Sequence, residues 1–421
     1  MRRLRAGPSL FAFLSSAVLI GIVALTGCGD AAREQQRILI AGPTMGTSYS
    51  VTLFASAGEI DVAVLQPRIE AVLERINAQM STWRSDSELS RFNRSRDSGW
   101  FPVSPQIAYV VEAAESISAL SDGAFDVTVG PMVNLWGFGP AGGKGARPSE
   151  RQIEEARRYV GYEKLKVRAS PPALRKLHPG VYVDLSAIAK GFAVDEVADL
   201  LSEQGIESFL VEIGGELRTR GAKPDGSAWK VAIERPVPGE RSIQDVVELR
   251  DMAIATSGDY RNYAERDGRR YSHTIDPRTG RPITHALASV SVVAVSAMRA
   301  DALATAIMAM GPKDGHQLAV DESLAVQLIV KSADGFRVLM TPQFESYLPS
   351  WRASRLAGQL ARVESAASCV AGAWQGADGD RVRCIATAQI DPSRRAATSA
   401  GRPSANHLPE RSVPLRSPQS N

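Results

Sequence analysis

The chain has 421 residues, 44% of them hydrophobic and 23% charged, with a formal net charge of +3 at pH 7. This supplies a real core for one large domain or two ordinary ones and excludes a chain disordered throughout. The small charge excludes the basic face that nucleic acid requires, and the three cysteines, Cys28, Cys369 and Cys384, stand at no metal-ligand spacing, which excludes a cysteine zinc site.

MRRLRAG sets a positive flank before the apolar run SLFAFLSSAVLIGIVAL, and LTGC closes it at Cys28. The run is short for a membrane span and ends in small residues, so residues 1–27 are expected to be a cleaved export signal, with an uncleaved anchor as the alternative. Cysteine directly after Leu-Thr-Gly resembles a lipobox. It predicts a lipidated Cys28 whose several acyl tails hold the chain to a membrane. Cleavage would remove Arg2, Arg3 and Arg5 and bring the net charge to zero. A disulfide between Cys369 and Cys384 stays open in an oxidising periplasm.

Residues 28–37 form a polar tether, and strands are expected near 38–41 and over 48–54. A helix follows over 62–81, with Pro67 as a candidate for its true start, and another over 105–121. GPAGGKGARPSE (139–150) reads as an exposed loop. VYVDL (181–185) reads as a buried strand entering an amphipathic helix closed by Gly205. Further strands are expected over 209–213, 229–236, 246–258 and 287–295. The last enters a helix over 297–311 with Ser296 as N-cap. Strands and helices without a strict βαβ rhythm predict a single α+β domain over 38–350. From 351 to 421 the chain turns Arg-rich and rich in Ser, Pro, Gly and Ala, the composition of a disordered tail.

Several stretches carry candidate chemistry. Asp301 and Thr305 stand four apart on a helix, so a carboxylate and a hydroxyl share one face and suit a hard cation such as Mg²⁺ or Ca²⁺; a surface Asp at a helix start is the plainer reading. VDLSAIAKGFAVD (183–195) offers either a phosphate site at a helix N-terminus, with Lys190 adding charge and Gly191 keeping the backbone approachable, or an ordinary turn capped by Ser186. EIGGELRTRG (212–221) suits a hairpin, a bulge or a ligand loop. SGDYRNY (257–263) and GAFDVTVGPMVNLWGFG (123–139) combine Gly, Asp and aromatics as the walls of a planar-ring site do. Among the five histidines, His273 stands out, because Asp276, Pro277, Thr279 and Gly280 would hold it on a rigid turn.

MGTSYSV (45–51), STWRSDSELSRFN (81–93), FDVTVGPMVNLWGFGP (125–140), VDLSAIAKGFAVD, EIGGELRTRG, SGDYRNY, SHTIDPRTGRPI (272–283) and ADALATAIMAMG (300–311) occur in this order. Together they resemble the ApbE family of bacterial FAD:protein FMN transferases, across roughly residues 38–350. The resemblance implies Mg²⁺-dependent cleavage of FAD, transfer of FMN to a Ser or Thr hydroxyl of an acceptor protein, and release of AMP at the periplasmic face of the inner membrane. It further implies Ala187, Asp301 and Thr305 as metal ligands, Ala187 through its carbonyl. Met45, Trp83, Ala124, Phe125, Asp126, Asp184, Lys190, Ser257 and Ser272 would contact FAD, with Asp259 lining the same cavity. Trp83 and Phe125 would lie against flat parts of the ligand. His273 and Asp301 would be the catalytic pair, His273 as general base or as stabiliser of developing charge. FAD hydrolysis to FMN and AMP, or flavin storage by a non-catalytic lipoprotein, are the alternatives.

Overall fold

The computed structural model describes residues 35–142, 147–237, 239, 242–259, 263–266, 269–350, 352 and 383–384. The expected signal, Cys28, Cys369 and most of the Arg-rich tail lie outside them. Among the described residues no helix is long and apolar enough to cross a membrane.

Eight strands make one antiparallel sheet: β1 (Gln35–Thr44), β2 (Thr47–Ser56), β3 (Phe209–Ile213), β4 (Glu216–Arg220), β5 (Ala253–Gly258), β6 (Leu287–Ala294), β7 (Ala325–Ser332) and β8 (Gly335–Met340), each pairing with the next. Side chains alternate between faces along each strand. Val211, Ala255, Val292 and Leu328 face a core with α1 (Val62–Met80), α2 (Pro105–Leu120), α3 (Ala189–Glu203) and α4 (Ala297–Asp321). Leu210, Ile254, Val293 and Ile329 face a second core, closed by the paired strands Trp229–Glu234 and Ile243–Leu249. The central strands are therefore buried on both sides, as their apolar runs required, and the α+β expectation holds.

α1 begins at Val62, where Asp61 accepts from the Ala63 N–H at 2.9 Å, and Pro67 lies inside it rather than at its start. Its buried Leu65, Ile69, Val72, Leu73, Ile76 and Met80 are worth roughly 1.5–3 kcal/mol each, which outweighs the ~3 kcal/mol cost of an internal proline. The strand expected over 246–258 is two strands in different sheets, divided at a turn where Asp251 adopts φ 55° and accepts from the Gly221 N–H. The helix expected to end at 311 continues to Asp321 across a break at Gly311, whose φ of 85° ends one segment before Pro312 opens the next.

The strand expected over 181–185 reduces to a single bridge from Tyr182 to Val129. In its place the Asn93 side chain donates to the Val183 carbonyl and accepts from the Val183 N–H, both at 2.8 Å, standing in for a strand neighbour. Ser186 does not cap α3, whose N-cap is Ile188. The Ser186 N–H and hydroxyl both donate to Asp184, a local turn that competes with helix and delays its start. The pairing register brings the Met45-Gly46 turn, the Gly214-Gly215 turn and Ser257 to one end of the sheet, where α3 begins.

Candidate active site

Two tight turns form the rim. Met45 and Gly46 join β1 to β2 with φ of 48° and 73°, and Gly214 and Gly215 join β3 to β4 with φ of 63° and 112°, so EIGGEL is a hairpin. A Cβ on Gly214 would meet Thr47 and approach Lys190, so the two turns and the first turn of α3 are in contact.

Beneath the rim lies a buried charged cluster. Lys190, the second residue of α3, donates from Nζ to Glu216 Oε1 at 2.6 Å and stands 4.0 Å from Asp301 Oδ1. Asp301 Oδ2 accepts from the Gly191 N–H at 3.1 Å. Glu216 and Asp301 are 2% and 3% exposed, and Glu216 Oε2 has no hydrogen-bond partner among the described residues. Burial pushes the Glu216 carboxyl up to about 8 against the pull of Lys190, and it raises Asp301 as well. Burial pulls Lys190 down, but the carboxylates of Asp301 and Glu216 outweigh it and leave the ammonium above its ordinary value. Two buried acids thus share one ammonium: with both ionised the cluster would want one more positive charge, and without a further cation the raised Glu216 carboxyl holds a proton instead.

Thr305 lies one turn beyond Asp301, and its Oγ1 is 3.2 Å from Ser257 Oγ. A carboxylate and a hydroxyl on one helix face, beside two buried acids that share a single ammonium, fit a hard divalent cation. Among the described residues no three His, Cys, Asp or Glu side chains converge on a metal-sized site, and the expected ligand set contains only one acid. Ala187 sits in the turn just before α3. Gly191 serves a different purpose from the one its motif suggested: a Cβ there would lie 2.3 Å from the Ala297 carbonyl oxygen, so it is α4, not a ligand, that needs the clearance.

The remaining expected residues divide by exposure. Trp83 is 58% exposed, Met45 is half-buried, and Ala124 is buried. Phe125 is 2% exposed and packs in the main core. Asp126 Oδ1 accepts from the Thr128 N–H and hydroxyl, both at 2.7 Å, and burial lifts its carboxyl to about 6. The Asp184 N–H donates to the Val127 carbonyl at 2.7 Å, tying the two Asp-bearing segments together. A hollow of about 440 Å³ joins Gly123 and Asp126 to Pro277 and Arg278, with Arg157, Arg158 and Tyr162 on its wall. Asp259 accepts from Lys331 Nζ at 2.7 Å.

His273 is half-buried and follows a short hairpin, Tyr263–Arg266 with Arg269–Ser272, while Ser272 is buried and accepts from the Thr274 N–H at 3.2 Å. The turn after it is fixed from several sides. Asp276 takes the Arg278 N–H and guanidinium, its carbonyl takes the Gly280 N–H at 2.8 Å, and Trp136 Nε1 donates to the Gly280 carbonyl at 2.9 Å. Gly280 has φ 68°. The paired residues Ile275–Asp276 pack on α4, the helix that carries Asp301. Glu216 was the residue sequence reasoning passed over; its signal was an acid directly after a glycine pair at the end of a buried strand.

Residues 45–329 match the sequence profile of the ApbE family. The chain belongs to the ApbE family. It is 47% identical over 330 residues to the FAD:protein FMN transferase of Vibrio cholerae, a match spanning 78% of this chain and 97% of that one. It is 43% identical over 317 residues to the Escherichia coli K12 protein of the same name, spanning 74% of this chain and 89% of that one. Among solved structures, the flavin transferase ApbE from Vibrio cholerae superimposes with a TM-score of 0.70, covering 75% of this chain and all of that one. The apo Pseudomonas stutzeri flavinyl transferase ApbE superimposes at 0.69 with 43% identity, covering 75% of this chain and 97% of that one. The ApbE motifs quoted from the sequence fall inside or next to the matched span, and they supply the buried cluster, the rim and the histidine hairpin.

Proposed function

We propose that this ApbE-family chain transfers FMN from FAD to a Ser or Thr hydroxyl of an acceptor redox protein and releases AMP, with Mg²⁺ as the metal. The acceptor oxygen bonds to the FMN phosphorus, the pyrophosphate P–O bond breaks, and AMP leaves with that electron pair. The observation that carries the metal is the buried cluster in which Asp301 and Glu216 outnumber Lys190. Mg²⁺ would be held by the Asp301 carboxylate, the Thr305 hydroxyl and the Ala187 carbonyl, and it supplies neutralisation of pyrophosphate charge.

The chain's own residues do the rest. The rim turns at Met45 and Gly214 let backbone approach the ligand closely, Lys190 adds a fixed positive charge, and exposed Trp83 offers a ring face. His273 takes the hydroxyl proton or stabilises the developing charge. The export signal and lipobox at Cys28 support action at the periplasmic face of the inner membrane, on exported or membrane-bound acceptors.

The test is incubation of the purified chain with FAD, Mg²⁺ and a Ser/Thr-containing acceptor peptide. A peptide mass increase matching FMN is expected, with an equal amount of AMP. Asp301→Asn lowers the rate roughly 10²–10³-fold while the thermal melt persists. Free FMN without peptide adduct would establish hydrolysis instead, and undiminished cleavage after chelation would remove the metal from the scheme.

A further inference from the structure

An α-helix opens with four backbone N–H groups that have no partner within it. In α4 those of Ala297, Met298 and Arg299 are all taken, from two sources. The Ser296 hydroxyl takes the Arg299 N–H at 3.2 Å, while its carbonyl accepts the first intrahelical bond, from the Ala300 N–H at 3.1 Å. The other two come from another helix. Asp195 of α3 accepts the Ala297 N–H on Oδ1 at 3.0 Å and the Met298 N–H on Oδ2 at 2.9 Å.

The return contact lies one turn away on each helix. Gly191, four residues before Asp195, donates its N–H to Asp301, four residues after Ala297. Each helix therefore places an aspartate on the opening turn of the other, and the bare Gly191 lets the backbones close to that distance. The strand beneath holds α3 at two points: Arg218 of β4 donates to Asp195 at 3.0 Å, and Glu216, two residues earlier on the same face, takes Lys190.

We infer that Asp195 is a positioning residue of this active site, a clasp that sets where α4 presents Asp301 and Thr305 relative to Gly191 and Ser257. The inference rests on the proposed cation site at Asp301 and Thr305. Asp195 touches neither substrate nor metal. It acts through the height and rotation of α4, and a small displacement there separates the carboxylate from the hydroxyl's working position.

Ser296 gives a matched control, because it caps the same helix without reaching α3. Losing either cap leaves N–H groups of the opening turn without an acceptor and lowers stability. The full chain, as wild type, Asp195→Asn and Ser296→Ala, is titrated with Mg²⁺ alone while its melting temperature is followed. FMN transfer and FAD binding in chelator are measured in parallel. Asp195→Asn is expected to raise half-saturating Mg²⁺ about tenfold in both the melt and the transfer assay, with FAD binding in chelator changed less than twofold. Ser296→Ala is expected to lower the melting temperature by a similar amount and leave half-saturating Mg²⁺ within twofold of wild type.

Unchanged Mg²⁺ dependence in Asp195→Asn, or an equal shift in Ser296→Ala, overturns the clasp. Should Asp195→Asn fail to fold, Arg218→Met leaves the cap in place but frees its carboxylate, and a shift of about threefold is expected; no shift overturns the inference. A wild type that binds Mg²⁺ but transfers no FMN defeats the proposed function and leaves the clasp standing. A wild type without any Mg²⁺ response defeats both.

Discussion

The cluster at Lys190, Glu216 and Asp301 and the turn at Asp276 hold polar groups in place by opposite means. In the cluster, carboxylates are almost wholly buried and are governed by how many positive charges face them. At the turn, Asp276 is only partly buried, and it is fixed by short-range bonds to Arg278, Thr279 and Gly280. Low dielectric makes the first arrangement sensitive to charge and tolerant of nothing unpaired, whereas the second depends on geometry and costs little to keep wet. Under the proposed function, a cation would complete the first and the second would aim a histidine.

The largest effect that tests this contrast is expected from His273→Asn. If the hairpin serves only to aim the imidazole, FMN transfer falls roughly 10²–10⁴-fold while the melting temperature and FAD affinity hold. A drop in melting temperature of the same order as a core substitution would place His273 with the structural residues and break the contrast.

On the buried side, Asp126 gives a pH signature. Its folded carboxyl sits near 6, above the unfolded value of 3.8, so the native state keeps its proton where the unfolded chain has lost it. Stability contributed by that group is full below the unfolded value and falls as pH rises toward 6, by on the order of 2–3 kcal/mol. Denaturant melts between pH 4 and 7 are expected to show this slope in wild type and its flattening in Asp126→Asn. A slope of the same size in the variant would assign it to other groups.

The smallest effect belongs to Trp136→Phe. It removes the indole bond to the Gly280 carbonyl and keeps the ring contact with Tyr271. About 1 kcal/mol of stability is expected to go, with a few-fold loss in transfer at constant FAD affinity. A change confined to stability would show that the turn is stiff enough without the tryptophan.

Much of the molecule was legible in the residues. Asp301 and Thr305 were placed on one helix face by their spacing alone, Ser296 was found as the cap of α4, and the Asp-Pro-Arg-Thr-Gly turn announced its own rigidity. Those features are local. The misses needed tertiary information. Whether 181–185 was a strand depended on Asn93, ninety residues earlier, and the use of Gly191 depended on a helix more than a hundred residues later. Phe125 and Trp83 are both aromatic residues in quoted motifs, yet only burial tells that one ring is committed to the core and the other is open.

Every strand of the large sheet pairs with its neighbour in sequence, yet β2 and β3 are separated by residues 57–208. That excursion carries Ala187 and Lys190, while Asp301 and Thr305 arise after β6. A ligand gripping both sets bridges parts of the chain that lie far apart in sequence. Its loss loosens the seam between them before it loosens either part, so protease cutting within the excursion should be the earliest sign of an empty site.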